Sequence, residues 1–238
     1  MTFQFSNGPA ALVAASNTIL AGHGIDVTIS SDFTEYARVI AEERPTQKLG
    51  DPFNPELHPL GDGNGFWLIG RNSDGVLVHT QAFKTIDLTG LPLSQYLRRN
   101  YCKFPPPIPG VDFSRSRYRS SPGAHGIRGS TVYHGEVWMA PEGTLYRGNG
   151  LSTVLTRFGL TEAIRRWDPD WIFAFMVRAV VFKGFSSRVG YMHCEPGALN
   201  WAVHGREKLI EAFLIYLSRQ DAKYMLDIPI EDLVAEAG

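Results

Sequence analysis

Arg147-Gly148-Asn149-Gly150 stands directly before a helix-forming segment, Leu151 to Trp167, with Ser152 in its first turn. Glycine lets a backbone approach a ligand closely, and the first amides of a helix have no partner inside it. With the helix dipole they make an anion site suited to phosphate groups, and Arg147 adds a full positive charge. A tight turn before an ordinary helix is the plainer reading of the same residues. No Lys-Ser or Lys-Thr follows the glycines, which excludes a Walker loop. Read as G-x-G-x-x-G, Gly148 to Thr153 lacks its third glycine, so the dinucleotide fingerprint fits poorly.

The segment before the loop, Thr131 to Ala140 (TVYHGEVWMA), reads as a strand and carries His134 and Glu136. Two apart on a strand, they should project to one face. They are the best candidates for a general base, a role worth about 10²–10⁴-fold in rate. The competing reading pairs Glu136 with an arginine and turns His134 to solvent or a loop. His193-Cys194-Glu195 is chemically rich, but strand alternation puts Cys194 opposite the other two, so they are no ready nucleophile–base set. No HExxH, CxxC or paired-ligand spacing is present, and no metal is expected.

The elements that must hold these residues follow from periodicity. Ile25 to Ser30 alternates as a half-buried strand, and Asp32 or Thr34 can cap a helix to about Glu43, ended by Pro45. Asp51 to Asn64 is loop. Phe66–Gly70 and Val76–Phe83 form a β-hairpin around Asp74-Gly75, and Leu93 to Tyr101 a short helix. Trp171 to Met176 is an apolar strand buried on both faces. A helix over Arg178 to Arg188, weakened by Gly184, and strands at Tyr191–Glu195 and Leu209–Leu217 complete the order.

The 238 residues suit one large domain, 1–238, with an irregular Pro/Arg-rich insertion at about 102–130. From Arg98 to Arg128 stand seven basic residues and one acid, Asp112. Most of this charge reads as a solvated loop; Arg117 and Arg119 are the candidates to meet an anionic substrate. Over the whole chain, 23 basic and 24 acidic side chains give a net charge of -1, which supports neither nucleic-acid nor membrane attraction. Two cysteines, Cys102 and Cys194, make no disulfide framework, so a cytoplasmic location fits best. The apolar run Ala10–Ala21 has no basic residue before it and is too short to span a membrane, so it reads as an N-terminal helix.

At Arg147-x-x-Gly150-x-Ser152, and in the order of elements from Ile25 to Leu217, the chain resembles the GCN5-related N-acetyltransferases. Their hallmark is Arg/Gln-x-x-Gly-x-Gly/Ala opening the helix after the fourth strand. The resemblance implies an α/β (α+β) fold: a mixed, mostly antiparallel central sheet flanked by helices, with splayed fourth and fifth strands. It implies acetyl-CoA or another acyl-CoA as co-substrate, and a primary amine on a small molecule as acceptor. The pantetheine arm would lie in the splay, along Val137, Trp138 and Met139. The amides of Arg147, Gly148, Asn149, Gly150, Leu151 and Ser152 would hold the pyrophosphate.

His134 or Glu136 would then be the base beside the thioester, and Tyr191 or Tyr146 could protonate the departing thiolate. The family's usual tyrosine acid aligns with Ser186 and is missing. Five residues, where many members have two, separate Pro141 from Arg147. The long Pro/Arg-rich stretch implies a specialised acceptor or acyl site. An autoinducer-synthase-like acyltransferase and a CoA-binding sensor without turnover are the alternatives on the same fold, and a homodimer is left open.

Overall fold

Period-two patterning runs through the strands and divides the core in two. On β2 (Gly65–Asn72), Phe66 and Leu68 join one apolar cluster while Trp67 and Ile69 join the other. The computed structural model, which describes residues 9–44, 47–140, 146 and 150–230, repeats this division strand by strand. On β6 (Trp171–Val177), Ile172 and Phe173 part in the same way, as do Ile215 and Leu214 on β8 (Ile210–Ser218).

The remaining strands are β1 (Ile25–Ser30), β3 (Leu77–Leu88), β4 (Val111–Tyr118), β5 (Gly129–Met139) and β7 (His193–Val203). Among the described residues the eight strands form one sheet in the order β1-β2-β3-β5-β6-β8-β7-β4. Every pairing is antiparallel except β5 with β6. The expected mixed, mostly antiparallel sheet flanked by helices is therefore present.

One core lies under α1 (Pro9–Gly22), α4 (Leu151–Trp167) and α7 (Arg219–Leu226). The other lies under α2 (Phe33–Glu43) and α3 (Leu93–Asn100). Asp32 caps α2 by accepting from the amides of Thr34 and Glu35 at 2.9 and 3.1 Å, and Tyr36, Val39 and Ile40 are buried along it. Among the described residues no helix is long and apolar enough to cross a membrane.

The stretch expected to be irregular, 102–130, contains β4. Its ladder meets β7 only at its ends, where Val111 and Asp112 pair with Val203 and Ala202 and Arg117 and Tyr118 with Asn200 and Leu199. Between them Asp112 turns back on itself, its carboxylate accepting from Ser114 at 3.0 Å, and the alternation that marks a strand is lost. With β4 counted, the expected fourth and fifth strands are β5 and β6.

The helix expected over Arg178 to Arg188 is two short pieces, α5 (Arg178–Val181) and α6 (Phe185–Arg188), parted at Gly184 with φ +70°. The strand expected over Tyr191 to Glu195 begins at His193 and continues through Pro196-Gly197 to Val203, its register against β8 slipping between Glu195 and Leu199. Pro45, named as the stop of α2, lies outside the described residues, and Arg44 is the cap.

Candidate functional site

β5 and β6 pair over only three residues each, Thr131–Tyr133 with Trp171–Phe173. β5 then stays with β3 as far as Met139 opposite His79, while β6 stays with β8 as far as Val177 opposite Ala212. The sheet therefore opens between them. A cavity of about 280 Å³ fills the opening, lined by Gly135, Glu136 and Val137 on one side and Ala174 to Val177 on the other.

A bulge shapes the β5 wall. Thr80 and Ala82 of β3 stand opposite Trp138 and Gly135, so β5 carries one extra residue in that interval. Glu136 has φ +58°, a left-handed backbone that costs a non-glycine residue about 1–2 kcal/mol. Three contacts hold it there. Its Oε1 accepts the Gly50 amide at 2.8 Å, its Oε2 accepts Arg44 Nη1 at 3.1 Å, and its carbonyl accepts the Thr80 hydroxyl at 2.9 Å. A β-carbon on Gly50 would stand 2.6 Å from Glu136 Oε1, so a side chain there would prevent the contact.

The Arg44–Glu136 pair is shut from solvent, with side-chain exposures of 0% and 5%. Burial pushes the Glu136 carboxyl above the ordinary carboxylate range, against the opposing pull of Arg44 and the Gly50 amide. Nε and Nη2 of Arg44 are buried without hydrogen-bond partners among the described residues. The guanidinium carbon lies 5.6 Å from the centre of the Trp138 ring.

The bulge also overturns the expected common face. Glu136 turns toward α2, whereas His134 turns to the α4 side, stacked on Phe83 at 4.2 Å. The unpaired left-handed residue reverses the strand's alternation, so the two candidate bases occupy opposite sides of β5. Glu136 does pair with an arginine, as the competing reading had it. His134 is 2% exposed, so it does not face solvent; it meets Tyr191 of the loop between α6 and β7.

Nδ1 of His134 lies 2.8 Å from the Tyr191 hydroxyl, and both residues line the cavity. Burial, with a smaller contribution from His79, pushes His134 down to about 3, so the imidazole is neutral near pH 7. Burial raises Tyr191 well above its ordinary value. Ser186, aligned with the usual tyrosine acid, is buried and presents its carbonyl to the Tyr191 amide at 3.0 Å. Tyr146 packs half-buried against the α4-side core and does not line the cavity.

α4 begins at Leu151 after Gly150, whose φ of +79° suits glycine. Ser152 is half-buried in the first turn. Arg147, Gly148 and Asn149 lie outside the described residues. Of the three positions expected to meet pantetheine, Val137 is 37% exposed and lines the cavity. Trp138 and Met139 stand opposite Thr80 and His79 on β3.

Arg117 and Arg119, expected at a substrate site, are exposed on or just after the edge strand β4, separated from β6 by β8 and β7. Neither lines the cavity; from that stretch Phe104 to Pro107 do. The strand hidden in the sequence carries the arginines outward. His193 meets Asp221 at 3.1 Å, while Glu195 accepts from the Tyr216 hydroxyl at 3.1 Å and the Gly123 amide at 2.9 Å. Among the described residues no group of three or more His, Cys, Asp or Glu is placed to hold a metal ion.

No family model matches the sequence, and no curated protein matches it. Solved structures do. The chain is similar to N-acetyltransferases. NAA60 of Arabidopsis thaliana, in complex with a bisubstrate analogue, is 12% identical with a TM-score of 0.48, over 82% of this chain and 97% of that one. The aminoglycoside acetyltransferase AAC(6')-Ib with coenzyme A and kanamycin is 11% identical, TM-score 0.44, over 84% and 98%. A GCN5-related N-acetyltransferase from Kribbella flavida is 12% identical, TM-score 0.41, over 83% and 99%. All three TM-scores fall below 0.5.

Sequence reasoning missed Arg44, Gly50 and Thr80, which hold the bulge. None belongs to a motif, and they stand 56 to 92 residues from Glu136 in the chain. A lone Arg at a helix end before a proline carries no signal of its burial.

Proposed function

We propose that the protein transfers an acyl group, acetyl or another, from acyl-CoA to a primary amine of a small molecule. The observation that carries this reading is the opening between two parallel strands after three residue pairs, with a bulge on one wall and a glycine-led helix following that wall. An opened pair of strands offers backbone groups to an extended ligand, as a further strand would. The start of α4, with Arg147 to Ser152, is suited to a pyrophosphate. Bound acyl-CoA supplies the thioester.

Val137, just beyond the bulge, offers its backbone to the thioester oxygen and to the negative charge that develops there. Glu136, facing the cavity from the α2 side, takes the proton of the amine as the N–C bond forms, directly or through water. Its carboxylate keeps lone pairs beyond those used by Arg44 and Gly50. As the C–S bond breaks, Tyr191 gives its hydroxyl proton to the thiolate. With its proton on Nδ1, His134 donates to the phenolate so formed, which offsets the cost of burying that charge. Solvent then takes the proton from Glu136 and returns one to Tyr191, which restores both groups. His134 thus acts as the group that positions and supports Tyr191, since burial makes it a weak base.

Steady-state thiol release from acetyl-CoA across a panel of primary amines tests the reading. Turnover that depends on an amine supports it. Tight CoA binding with no turnover for any amine would make the protein a sensor instead.

A further inference from the structure

The α2-side half of the cavity has a chemistry of its own. Phe53, Phe104, Tyr133, Phe175 and Trp201 line it, with prolines 105–107 beside them. The aromatic rings interlock: Phe104 meets Tyr133 edge-on at 4.9 Å and Phe175 at 5.7 Å, and Phe53 stacks on Tyr133 at 5.5 Å. Among the described residues Glu136 is the sole charged one of the lining, and both its oxygens are already engaged by Arg44 and Gly50. Among the described residues no lysine, arginine or aspartate lines the space. The whole cavity, at about 280 Å³, lies close to the lower end of the range for small-molecule sites, about 300–1,000 Å³.

Such walls reward apolar surface and penalise unpaired charge. A polycation entering here would lose its hydration and find one carboxylate, already committed to an arginine. An alkyl or aryl group would gain about three- to fourfold in affinity for each methylene buried. Resting on the acyl-transfer reading above, we infer that the aromatic chamber selects a bulky apolar group, aliphatic or aromatic. Either the acyl chain or the body of the amine carries it. The Pro-rich stretch before β4 serves as a wall of that chamber through Phe104 to Pro107, and its arginines stay outside.

Two titrations separate the two sources. In the first, CoA, acetyl-CoA and octanoyl-CoA are titrated calorimetrically into the protein. An acyl-selecting chamber binds octanoyl-CoA at least about tenfold more tightly than acetyl-CoA. In the second, hexylamine, 2-phenylethylamine and spermidine are titrated into the protein without CoA. An acceptor-selecting chamber binds one of the first two at least about tenfold more tightly than spermidine.

In either case Ala212→Phe should abolish the preference by filling the space, and Phe175→Ala, at a half-buried wall position, should reduce it about three- to tenfold while CoA affinity holds. The second variant keeps the test open should the first fail to fold. Affinity flat with acyl length, together with spermidine equal to or better than the apolar amines, overturns the inference. Loss of CoA binding with the amine preference intact would instead overturn the acyl-CoA reading and leave the chamber standing.

Discussion

The Tyr191 hydroxyl and Nδ1 of His134 lie 2.8 Å apart where β5 and β6 part, and both side chains are buried on the α4 side. A buried tyrosine holds its proton until a partner can stabilise the phenolate, and a neutral imidazole donating from Nδ1 is such a partner. Tyr191→Phe keeps the ring and its packing and removes the proton. Turnover should fall about 10²-fold or more, with acyl-CoA affinity within about twofold of the parent. His134→Gln should cost less, because the tyrosine stays. Equal turnover for Tyr191→Phe and parent would remove Tyr191 from the chemistry.

Glu136→Gln keeps size and removes basicity, and its amide oxygen can accept from only one of Gly50 and Arg44. Turnover should fall about 10²-fold or more with little change in acyl-CoA affinity. Burial raises the carboxyl, so the parent rate should climb with pH through a midpoint above the ordinary carboxylate range. The variant should lose that limb. A variant that retains both turnover and limb places the base elsewhere.

The same substitution has a structural consequence. Arg44 would remain at 0% side-chain exposure with no opposite charge beside it. Breaking a buried pair from one side costs about 3–5 kcal/mol, whereas replacing both partners with apolar groups is often neutral. Denaturant unfolding of Glu136→Gln, Arg44→Met and the double variant should therefore give strongly non-additive losses, the double variant losing less than the sum. Additive losses would mean that the two side chains do not depend on each other.

Much of the fold was legible because burial follows period. Asp32 and the stripe Phe33, Tyr36, Ile40 announced α2, and Asp74-Gly75 announced the β2–β3 turn. The helix after Gly150 and the apolar strand β6 were legible for the same reason. β4 was hidden because an edge strand is half solvated, and Asp112 loops its middle residues out of the ladder. At the cavity, His134, Glu136 and Tyr191 were named by type and place, but their arrangement around β5 was not. A bulge has no sequence signature when a glutamate takes the left-handed position, and it exchanges the faces of every residue after it. Arg117 and Arg119 stood out as charge, but charge at an edge strand faces water.

Acid should destabilise the protein through two buried histidines. Burial pushes His79 and His134 down to about 3 from an exposed value of 6.5. The unfolded chain thus takes up each proton first. Their contribution is complete above about pH 6.5 and is lost as pH falls toward 3, at about 1.4 kcal/mol per pH unit for each group. Melting temperatures measured from pH 7 to pH 4 should drop steeply, and His134→Gln should drop about half as steeply over that range. An unchanged slope would mean that His134 titrates in the folded protein as it does when exposed.

The central claim is that the start of α4, beside the opened strands, holds the pyrophosphate of CoA. Calorimetric titration of CoA into the parent, Gly150→Val and Arg147→Ala tests it most directly. The parent should bind one CoA per chain. Gly150→Val forces a branched side chain onto a backbone with φ +79° and should abolish binding while a cooperative melt persists. Arg147→Ala should weaken binding by about 1.5–3 kcal/mol, the worth of a hydrogen bond to a charged group. A parent that does not bind CoA, or variants that bind it as the parent does, would contradict the account.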